Sequence, residues 1–423
     1  MTALQVDLYE LTMLQAALVD GSAHRRCVFE VFTRRLSRGR RFGIVAGVDR
    51  LLDELEERRF TGEQVAWLRQ HTRLSPQTCA WLADHRFTGD ITGYVEGEAY
   101  FPNSPVLRVE GTFAECTLLE TLVLGMLNHD SAVASAAVRM VIAAGDRPCI
   151  EMGSRRTHED SAMASARAAY VAGFASTSNV AAGKVYGIPV AGTAAHSWTM
   201  LHDTEAQAFA SQVAAFGAET TLLVDTYDIS RGVRTAIEVA GTGLAAVRID
   251  SGDLAVLARQ TREQLDSLGA TTTRIVLSGD LDEFAVAALA AAPVDAYGIG
   301  TAVVAGSGVP SAGFVYKLVE VDGHPVEKRS EDKQSTGGRK DVVRRHRPSG
   351  TATEECVSIG GPPAAEPGDR HVQVPLVRAG QRVHRATVAE TREHVRSVLG
   401  SLPWQGLALS GGDPAIPTTL HRA

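Results

Sequence analysis

From about residue 150 onward, the sequence alternates between short apolar runs and longer amphipathic segments, which constrains the fold more than any other feature. The runs end in Gly, Asp, Ser or Thr, and most precede a segment with helical periodicity. This alternation predicts parallel strands joined by helices that lie outside the sheet. The seven runs are CIEMG, ASTSNV, PVAGTA, TLLVD, AAVRID, RIVLSG and DAYGIG.

The segment after RIDSGD shows the helical pattern clearly. Its apolar side chains recur at helical spacing, Arg259, Arg262 and Glu263 fall outside that stripe, and Gly269 is a stop signal. We predict a helix whose stripe is buried against the sheet. The stripe consists of Leu254, Leu257, Ala258, Thr261, Leu265 and Leu268.

Seven strands, with an eighth at FVYKLVEV (314–321), predict an α/β fold built on an irregular βα (TIM-like) barrel. An open doubly wound sheet is the alternative, but no GxGxxG follows a first strand. We assign residues 111–340 to the barrel and 1–110 to an N-terminal α/β domain, joined by part of 341–423. Residues 347–369, rich in Pro, Gly, Ala and Glu, read as a linker or loop.

Composition excludes several classes of partner. The 423 residues are 44% hydrophobic and 22% charged with a net charge of −7, and the densest basic stretch is only RRLSRGRR at 34–41. We therefore expect a globular chain that does not bind nucleic acid. No long apolar window and no signal-like start are present, so we expect no membrane partner and a cytoplasmic location. Five scattered cysteines without a CxxC pair predict neither a disulfide framework nor a metal site.

The polar residues that close the strands are the candidates for chemistry, because barrel enzymes place their sites there. Arg248 and Asp250 lie two apart, so both side chains point to one side, where they could hold an anionic or planar ligand and hydroxyl groups. A mutual salt bridge that caps the strand is the alternative. Asp225 adds a carboxylate, which beside a phosphate site indicates magnesium or a sugar.

Two late strands end in glycines, at SGD (278–280) and YGIGT (297–301). Glycine lets backbone N–H groups turn toward an anion, and a helix that begins at LDEFAVAAL would aim its positive end there. The pattern predicts a phosphate-binding cradle after the last two strands. Ordinary strand-to-helix turns are the alternative.

The stretch VAGTAAHSWTM (190–200) sets His196 among small residues. Small side chains at a strand end leave room for a ligand beside the backbone, and an imidazole can act as a nucleophile near neutral pH. A histidine packed in the core is the alternative.

At this point the chain closely resembles the nicotinate phosphoribosyltransferases, one family of the type II phosphoribosyltransferases. The resemblance is carried by many specific blocks in the same order. They include DLYELTM (7–13), FEVFTRRL (29–36), RVEGTFAECTLLETLVL (108–124), 153–198 from GSRRTHED to GTAAHSW, LLVDTYD (222–228), RIDSGDL (248–254), SGDLDE (278–283) and KRSEDKQSTGGRK (328–340).

The resemblance implies an irregular α/β barrel packed on an N-terminal α/β domain and a head-to-tail homodimer with shared sites. It implies an enzyme that converts nicotinate and 5-phosphoribosyl 1-diphosphate to nicotinate mononucleotide and diphosphate in NAD salvage. ATP would be the co-substrate, hydrolysed through a phosphohistidine at His196, and Mg²⁺ would accompany the diphosphate or ATP. No metal ligand among the side chains is implied.

The resemblance also implies roles for individual residues. Arg248 would stack on or pair with the pyridine ring, and Asp250 would hold ribose hydroxyls. Tyr9 would reach across the dimer to cover the ring. The other substrate contacts implied are Arg155, Ser178 and Thr193 near the base, Asp225 in the site, and Gly279, Asp280, Gly298, Gly300 and Thr301 around the phosphoribosyl group.

Base preference can be argued from Ser178, which stands where the related nicotinamide enzyme carries an aspartate. A hydroxyl can donate to the carboxylate of nicotinate, whereas an aspartate would repel it. Met152 departs from the phenylalanine that is frequent in the family. Nicotinamide or quinolinate as the base, and a non-catalytic barrel that binds sugar phosphate, are the alternatives.

Overall fold

The computed structural model describes residues 2–37, 39–328 and 335–422. The chain divides into two compact units, Met1–Ser135 with Val309–Ala423, and Ala136–Gly308. We call the first the antiparallel unit and the second the parallel unit. Positions 329–334 of the block KRSEDKQSTGGRK lie outside the described residues.

Strands and helices are numbered along the chain. The strands are β1 (Arg26–Thr33), β2 (Gly43–Ile44), β3 (Asp90–Tyr94), β4 (Ala99–Tyr100), β5 (Leu107–Thr112), β6 (Cys149–Glu151), β7 (Ser176–Thr177), β8 (Thr221–Leu223), β9 (Ala246–Ile249), β10 (Arg274–Gly279), β11 (Ala296–Ile299), β12 (Phe314–Val321), β13 (His324–Pro325), β14 (Lys340–His346), β15 (Ala352–Ile359), β16 (Arg370–His371), β17 (Gln373–Arg378), β18 (Gln381–Arg382) and β19 (Thr418–Arg422).

The helices are α1 (Leu8–Asp20), α2 (Val48–Glu57), α3 (Gly62–His71), α4 (Pro76–Asp84), α5 (Phe113–Thr117), α6 (Glu120–Ala144), α7 (Glu159–Val171), α8 (Val180–Tyr186), α9 (His196–Met200), α10 (Glu205–Phe216), α11 (Ile229–Ala240), α12 (Leu254–Ser267), α13 (Glu283–Ala288), α14 (Thr301–Val304) and α15 (Val388–Ser401). Among the described residues, none of these helices has the length and apolarity that a bilayer crossing requires.

The antiparallel unit contains a seven-stranded sheet in the order β13-β12-β1-β5-β3-β17-β18. Its strands are rich in aromatic and branched residues that pack on one core, where the rings of Phe29 and Tyr316 stack at 4.8 Å. Residues 314–321 are therefore not an eighth barrel strand, because β12 pairs antiparallel with β1. Residues 111–135 and 309–328 also belong to this unit, so the units divide at other points than we predicted.

The segment 347–369 is not simply a loop. Residues 352–359 form β15, which pairs antiparallel with β14 and parallel with β19 in a second, four-stranded sheet. Burial provides the reason, because Ala352 and the consecutive residues 355–358 of β15 are buried. Proline and glycine are confined to the flanks of the strand, at 348–350 and 360–368.

A buried ionic network lies in the antiparallel unit. The Arg344 guanidinium, fully buried, donates to Glu98, Glu355 and the carbonyl of Ala99. Burial disfavours the charged form of Glu98, but Arg344 and the hydrogen bonds from His394 and Arg370 outweigh it and hold the pKa of that carboxyl well below its usual range. Because the buried charges are hydrogen-bonded to one another, the network holds these side chains in one arrangement.

The parallel unit contains a six-stranded parallel sheet in the order β7-β6-β11-β10-β9-β8, curled into a partial barrel. Six of the seven predicted runs are strands of this sheet. The seventh, PVAGTA, contributes a single bridge between Val190 and Thr177. The α/β class and its irregular barrel are confirmed. The barrel is open, because β7 and β8 are the edge strands and no pairing joins them among the described residues.

Helix α12 confirms the predicted amphipathic pattern. It begins after Asp253, whose carboxylate accepts from Val256 N–H, and it buries Ala258, Thr261 and Leu265. Gly269 follows with φ at +82°, a conformation that glycine adopts without strain. Helices of this kind leave the carboxyl ends of the strands free to carry the polar residues of the site.

Candidate active site

Arg248 and Asp250 lie at the carboxyl end of β9, beside the end of β10. Arg248 Nη2 donates to Asp250 Oδ1 at 2.7 Å, so the predicted salt bridge is present. The guanidinium also donates to the hydroxyls of Ser278 at 2.7 Å and Thr193 at 2.8 Å. Because three elements converge on it, the pair does more than cap one strand, and it presents a fixed cation beside a carboxylate.

Asp250 remains ionised in this arrangement. Burial opposes the charge, but hydrogen bonds from Ser278 and Arg248 outweigh it and lower the pKa of the carboxyl below its ordinary value. Its second oxygen, Oδ2, lies 3.9 Å from His196 Nε2. The carboxylate is therefore held by one oxygen and available through the other.

His196 is the first residue of α9, and its side chain is 38% exposed, so the packed-core alternative is wrong. Nε2 lies 4.0 Å from Asp225 Oδ1 and 3.9 Å from Asp250 Oδ2, and Nδ1 lies 3.1 Å from the Thr226 hydroxyl. Two carboxylates near Nε2 favour a proton on that nitrogen. Nδ1 is then the nitrogen that carries the lone pair, with Thr226 as its donor.

Asp225 lies at the end of β8 and is buried. Its Oδ2 accepts from Asp250 N–H at 2.9 Å and from the Ser251 hydroxyl at 2.7 Å, whereas Oδ1 has no hydrogen-bond partner among the described residues. An unpartnered buried carboxylate oxygen is costly unless a cation or donor reaches it. Carboxylate oxygens also suit Mg²⁺, so the donor set fits that ion.

The glycines of the predicted phosphate cradle lie on the neighbouring strand ends. A Cβ at Gly279, which has φ at +125°, would lie 2.8 Å from the Asp250 carbonyl oxygen. A Cβ at Gly298 would lie 2.8 Å from Met152 Sδ, and one at Gly300 would lie 3.2 Å from the Met152 carbonyl oxygen. A side chain at these positions would crowd the neighbouring strand ends, so close packing favours glycine there. The same glycines leave the backbone accessible to a ligand.

The helix expected to aim its positive end at the cradle is capped by its own chain. Asp282 accepts from the N–H groups of Phe284 and Ala285 at the start of α13. By contrast, α14 begins at Thr301 with no side-chain cap. The structure therefore favours the Gly300–Thr301 turn over α13 as the source of free backbone donors.

Glu151 is a buried carboxyl at the end of β6 that sequence reasoning missed. Its Oε2 accepts from the Thr177 hydroxyl and its Oε1 accepts from Gly153 N–H. Burial raises the pKa of Glu151 despite both hydrogen bonds. It fastens β6 to β7 directly beneath Ser178, whose N–H donates to the Glu151 carbonyl at 2.8 Å.

The remaining predicted residues differ in their exposure. Arg155, Asp280 and Thr301 are exposed after β6, β10 and β11, and Ser178 is half-buried after β7. Beside Thr193, a cavity of about 620 Å³ extends past Trp198 toward α10. Tyr9 belongs to α1 of the antiparallel unit and is 45% exposed.

Sequence reasoning placed Ser278 in the SGD turn without assigning it a role, and it left out Thr226. Both follow a strand and adjoin a residue that was singled out, which is the signal that could have found them. Glu151 had a weaker signal, a single carboxyl inside the apolar run CIEMG.

Comparison with known proteins gives independent evidence of the family. Family models match residues 4–128 (nicotinate phosphoribosyltransferase N-terminal domain) and 148–354 (nicotinate phosphoribosyltransferase family). A nicotinate phosphoribosyltransferase of Mycobacterium tuberculosis is 60% identical over 98% of this chain and 94% of its own. That of Bacillus subtilis is 37% identical over 81% of this chain and 73% of its own.

The fold comparison points the same way. The crystal structure of human nicotinic acid phosphoribosyltransferase superposes with a TM-score of 0.85 at 26% identity, covering 98% of this chain and 97% of that chain. Sequence and fold comparisons therefore agree, and the chain belongs to the nicotinate phosphoribosyltransferase family.

Proposed function

We propose that this chain transfers the 5-phosphoribosyl group from 5-phosphoribosyl 1-diphosphate to nicotinate in NAD salvage, and that it couples this transfer to ATP hydrolysis through His196. The single observation that carries the proposal is the position of the His196 imidazole, within 4.0 Å of two carboxylates and on the same strand edge as Arg248.

In the phosphorylation step, Nδ1 of His196 attacks the γ-phosphorus of ATP, the bond to the β–γ bridging oxygen breaks, and ADP leaves. Asp225 and Asp250 face Nε2 and stabilise the ring that gains positive character. Water later attacks the phosphohistidine, which restores the imidazole and releases phosphate.

In the transfer step, the pyridine nitrogen of nicotinate bonds to ribose C1 while the bond from C1 to the diphosphate oxygen breaks. Positive charge grows on the ribose ring in a loose transition state, so a fixed anion nearby matters more than a strong base. Asp250, whose side chain is 30% exposed and whose pKa is lowered, would hold ribose hydroxyls and stabilise that charge.

Nicotinate binding rests on cations and hydroxyls around the base. Arg248 is held in place by Ser278 and Thr193 and presents a planar face that suits a pyridine ring. Ser178 can donate to the nicotinate carboxylate, and Arg155 supplies a further positive charge after β6. The glycine turns with Asp280 and Thr301 would receive the phosphoribosyl group.

Magnesium would neutralise the diphosphate and the ATP phosphates when it is bound. Asp225 Oδ1 and Asp250 Oδ2 are the oxygens that would approach it, since neither is consumed by the contacts that fix its own side chain. The five cysteines are free and buried, which supports a reducing, cytoplasmic setting.

The working unit would be a homodimer in which Tyr9 covers the base in the site of the second copy. Its aromatic ring is 45% exposed beside the 59% exposed Leu8, which supports a role at a surface between copies. Mixing Tyr9→Ala and His196→Ala chains tests this. Because about half of the dimers would be mixed and hold one intact site, about a quarter of the native activity should return; no recovery on confirmed mixing would refute the shared site.

The energy coupling is tested with ATP labelled at the γ-phosphate. The native protein should acquire an acid-labile label and form nicotinate mononucleotide faster when ATP is present. His196→Ala should lose both the label and the stimulation, while His202→Ala, a matched histidine just beyond α9, should keep both. Equal labelling of native and His196→Ala proteins would reject His196 as the phosphorylated residue.

A further inference from the structure

A cluster of metal-ligating side chains lies far along the chain from the residues of the candidate active site, in the four-stranded sheet of the antiparallel unit. Glu354 and Cys356 are two apart on β15, so both lie on one face of the strand. β19 pairs parallel with β15, with Cys356 opposite Thr419, which places Thr419 and His421 on the same face. His421 follows Cys356 by 65 positions in the sequence. The pairing of the two strands thus brings together a carboxylate, a thiol and an imidazole.

The ligand atoms of these three side chains all lie within 4.8 Å of one another. The Thr419 hydroxyl lies among them. It donates to Glu354 Oε1 at 2.5 Å, lies 3.1 Å from His421 Nε2, and lies 3.9 Å from Cys356 Sγ. A single small group therefore contacts all three ligand atoms, at the position that a coordinated ion would have to approach.

We propose that Glu354, Cys356 and His421 form a zinc site, with water as the fourth ligand. Oxygen, sulfur and nitrogen together form a donor set that zinc accepts in tetrahedral geometry. Metal–ligand distances of about 2.0–2.3 Å place tetrahedral ligand atoms roughly 3.5 Å apart, so the cluster needs to contract by about 1 Å. Rotation of the Thr419 hydroxyl away from the centre makes this room, and coordination of the thiolate releases the Cys356 proton to solvent.

Burial and charge are suited to this ion. Cys356 is buried, Glu354 is half-buried and His421 is exposed, so the ion has an approach from the solvent side. A thiolate and a carboxylate together balance the charge of Zn²⁺. Arg345 Nη1 lies 3.9 Å from the other carboxylate oxygen, Glu354 Oε2, and leaves Oε1 on the side of the cluster.

A zinc ion at this site would anchor β19 to β15. β19 lies at an edge of its sheet, and it is held by β15 on one side. An ion shared by Glu354 and Cys356 on β15 and His421 on β19 would add a cross-strand link to the backbone ladder. Neither His196 nor any other residue of the candidate active site contributes to this cluster, so the zinc proposal stands independently of the proposed catalysis.

Full-length protein without an affinity tag, stripped of metal by a chelator that is then removed, tests the proposal by calorimetric titration with zinc chloride. We expect one zinc per chain. Cys356→Ser and His421→Ala should each weaken binding by more than about tenfold, since loss of even an indirect supporting contact costs about that much. Cys79→Ser and His324→Ala, which change a buried cysteine and an exposed histidine elsewhere in this unit, should bind as the native chain does.

Cobalt(II) supplies a second readout, because a cobalt–thiolate bond gives charge-transfer absorption. The native chain and Thr419→Val should both show that absorption, and Cys356→Ser should lose it. Native-like zinc affinity in both Cys356→Ser and His421→Ala would overturn the proposal and leave an adventitious ion only. Should Cys356→Ser unfold, the exposed His421→Ala variant decides alone, and unchanged binding there would also overturn it.

Discussion

Two arrangements of arginine and carboxylate in this molecule differ in how completely they are paired. In the antiparallel unit, Arg344 is fully buried, and it donates to Glu98, Glu355 and a backbone carbonyl. In the parallel unit, Asp250 and His196 have side chains that are 30% and 38% exposed and lie 3.9 Å apart. In the first arrangement the donors and acceptors are hydrogen-bonded to one another. In the second, Asp250 Oδ2 and the His196 imidazole remain accessible to a ligand.

This difference separates a structural network from a candidate site. Glu355 Oε2 accepts from Arg344, and its Oε1 accepts from the hydroxyls of Tyr94 and Ser104, so no oxygen remains for a ligand. Asp225 is also buried, but its Oδ1 has no hydrogen-bond partner in the part of the chain that the structure describes. An incompletely paired buried group costs stability, and such costs concentrate where a ligand supplies the missing contact.

The largest effect is expected for Arg344→Met. Removing the guanidinium leaves Glu355 as a buried charge without its cation and leaves Glu98 with only Arg370 and His394, which costs about 3–5 kcal/mol of unfolding free energy. Urea titration measures the loss. Arg378→Met is the control, because its exposed pair with Asp90 contributes only about 0–1 kcal/mol. Similar losses in the two variants would remove the basis for calling the Arg344 network structural.

Asp250→Asn should show the opposite profile, with activity lost rather than stability. Losing one preorganised charge at the transition state costs about 3 kcal/mol, or roughly a hundredfold in kcat. The free energy of unfolding should fall by less than in Arg344→Met, because the side chain is 30% exposed. Steady-state kinetics and urea titration measure both quantities, with the exposed Asp266→Asn as the control. Turnover within tenfold of native would contradict the assigned role.

The two regions also differ in how far the sequence predicted them. The strand-end residues Arg248, Asp250, Asp225 and His196 were identified because parallel strands bring their carboxyl ends to one edge, whatever the order of the strands. The position of residues 314–321 was missed because β12 pairs with β1, nearly 290 residues earlier, and local pattern carries no information about such pairing.

The finer features of the site were missed for a related reason. Capping of α13 by Asp282 and the hydrogen bonds of Glu151 depend on side-chain geometry within three residues of a strand end. A sequence pattern locates that end but does not fix where each side chain points. Strand ends were therefore predictable, and the partners of each polar atom were not.

Glu10 is another buried carboxyl, and its carboxylate accepts hydrogen bonds from Thr121 rather than from a cation. Burial raises its pKa to about 7, despite hydrogen bonds from Thr121, so the folded chain favours the protonated form. Its contribution to stability is present below the ordinary pKa near 4.5 and is lost as pH rises through about 7.

Glu10→Gln keeps a neutral side chain at every pH, so it should remove this pH dependence. The difference between the two pKa values corresponds to about 3 kcal/mol as an upper estimate. Urea titrations from pH 4.5 to about 8 should show the native chain losing more stability than the variant. Parallel curves for the two proteins would contradict the raised pKa, because they would show that Glu10 has the same pKa in the folded and the unfolded chain.

The smallest effect is expected for a substitution of Ser178, the residue from which we infer the base preference. Ser178→Asp places a carboxylate beside that of nicotinate, and it offers an acceptor to a carboxamide. We expect kcat/KM for nicotinate to fall about tenfold, near 1.4 kcal/mol, while kcat/KM for nicotinamide rises. Ser178→Ala is the control, because it removes the donor without adding charge, and it should weaken nicotinate without favouring the amide. An unchanged ratio between the two bases in Ser178→Asp would show that the half-buried Ser178 does not face the base, and it would move the origin of acid preference to Arg155 or Arg248.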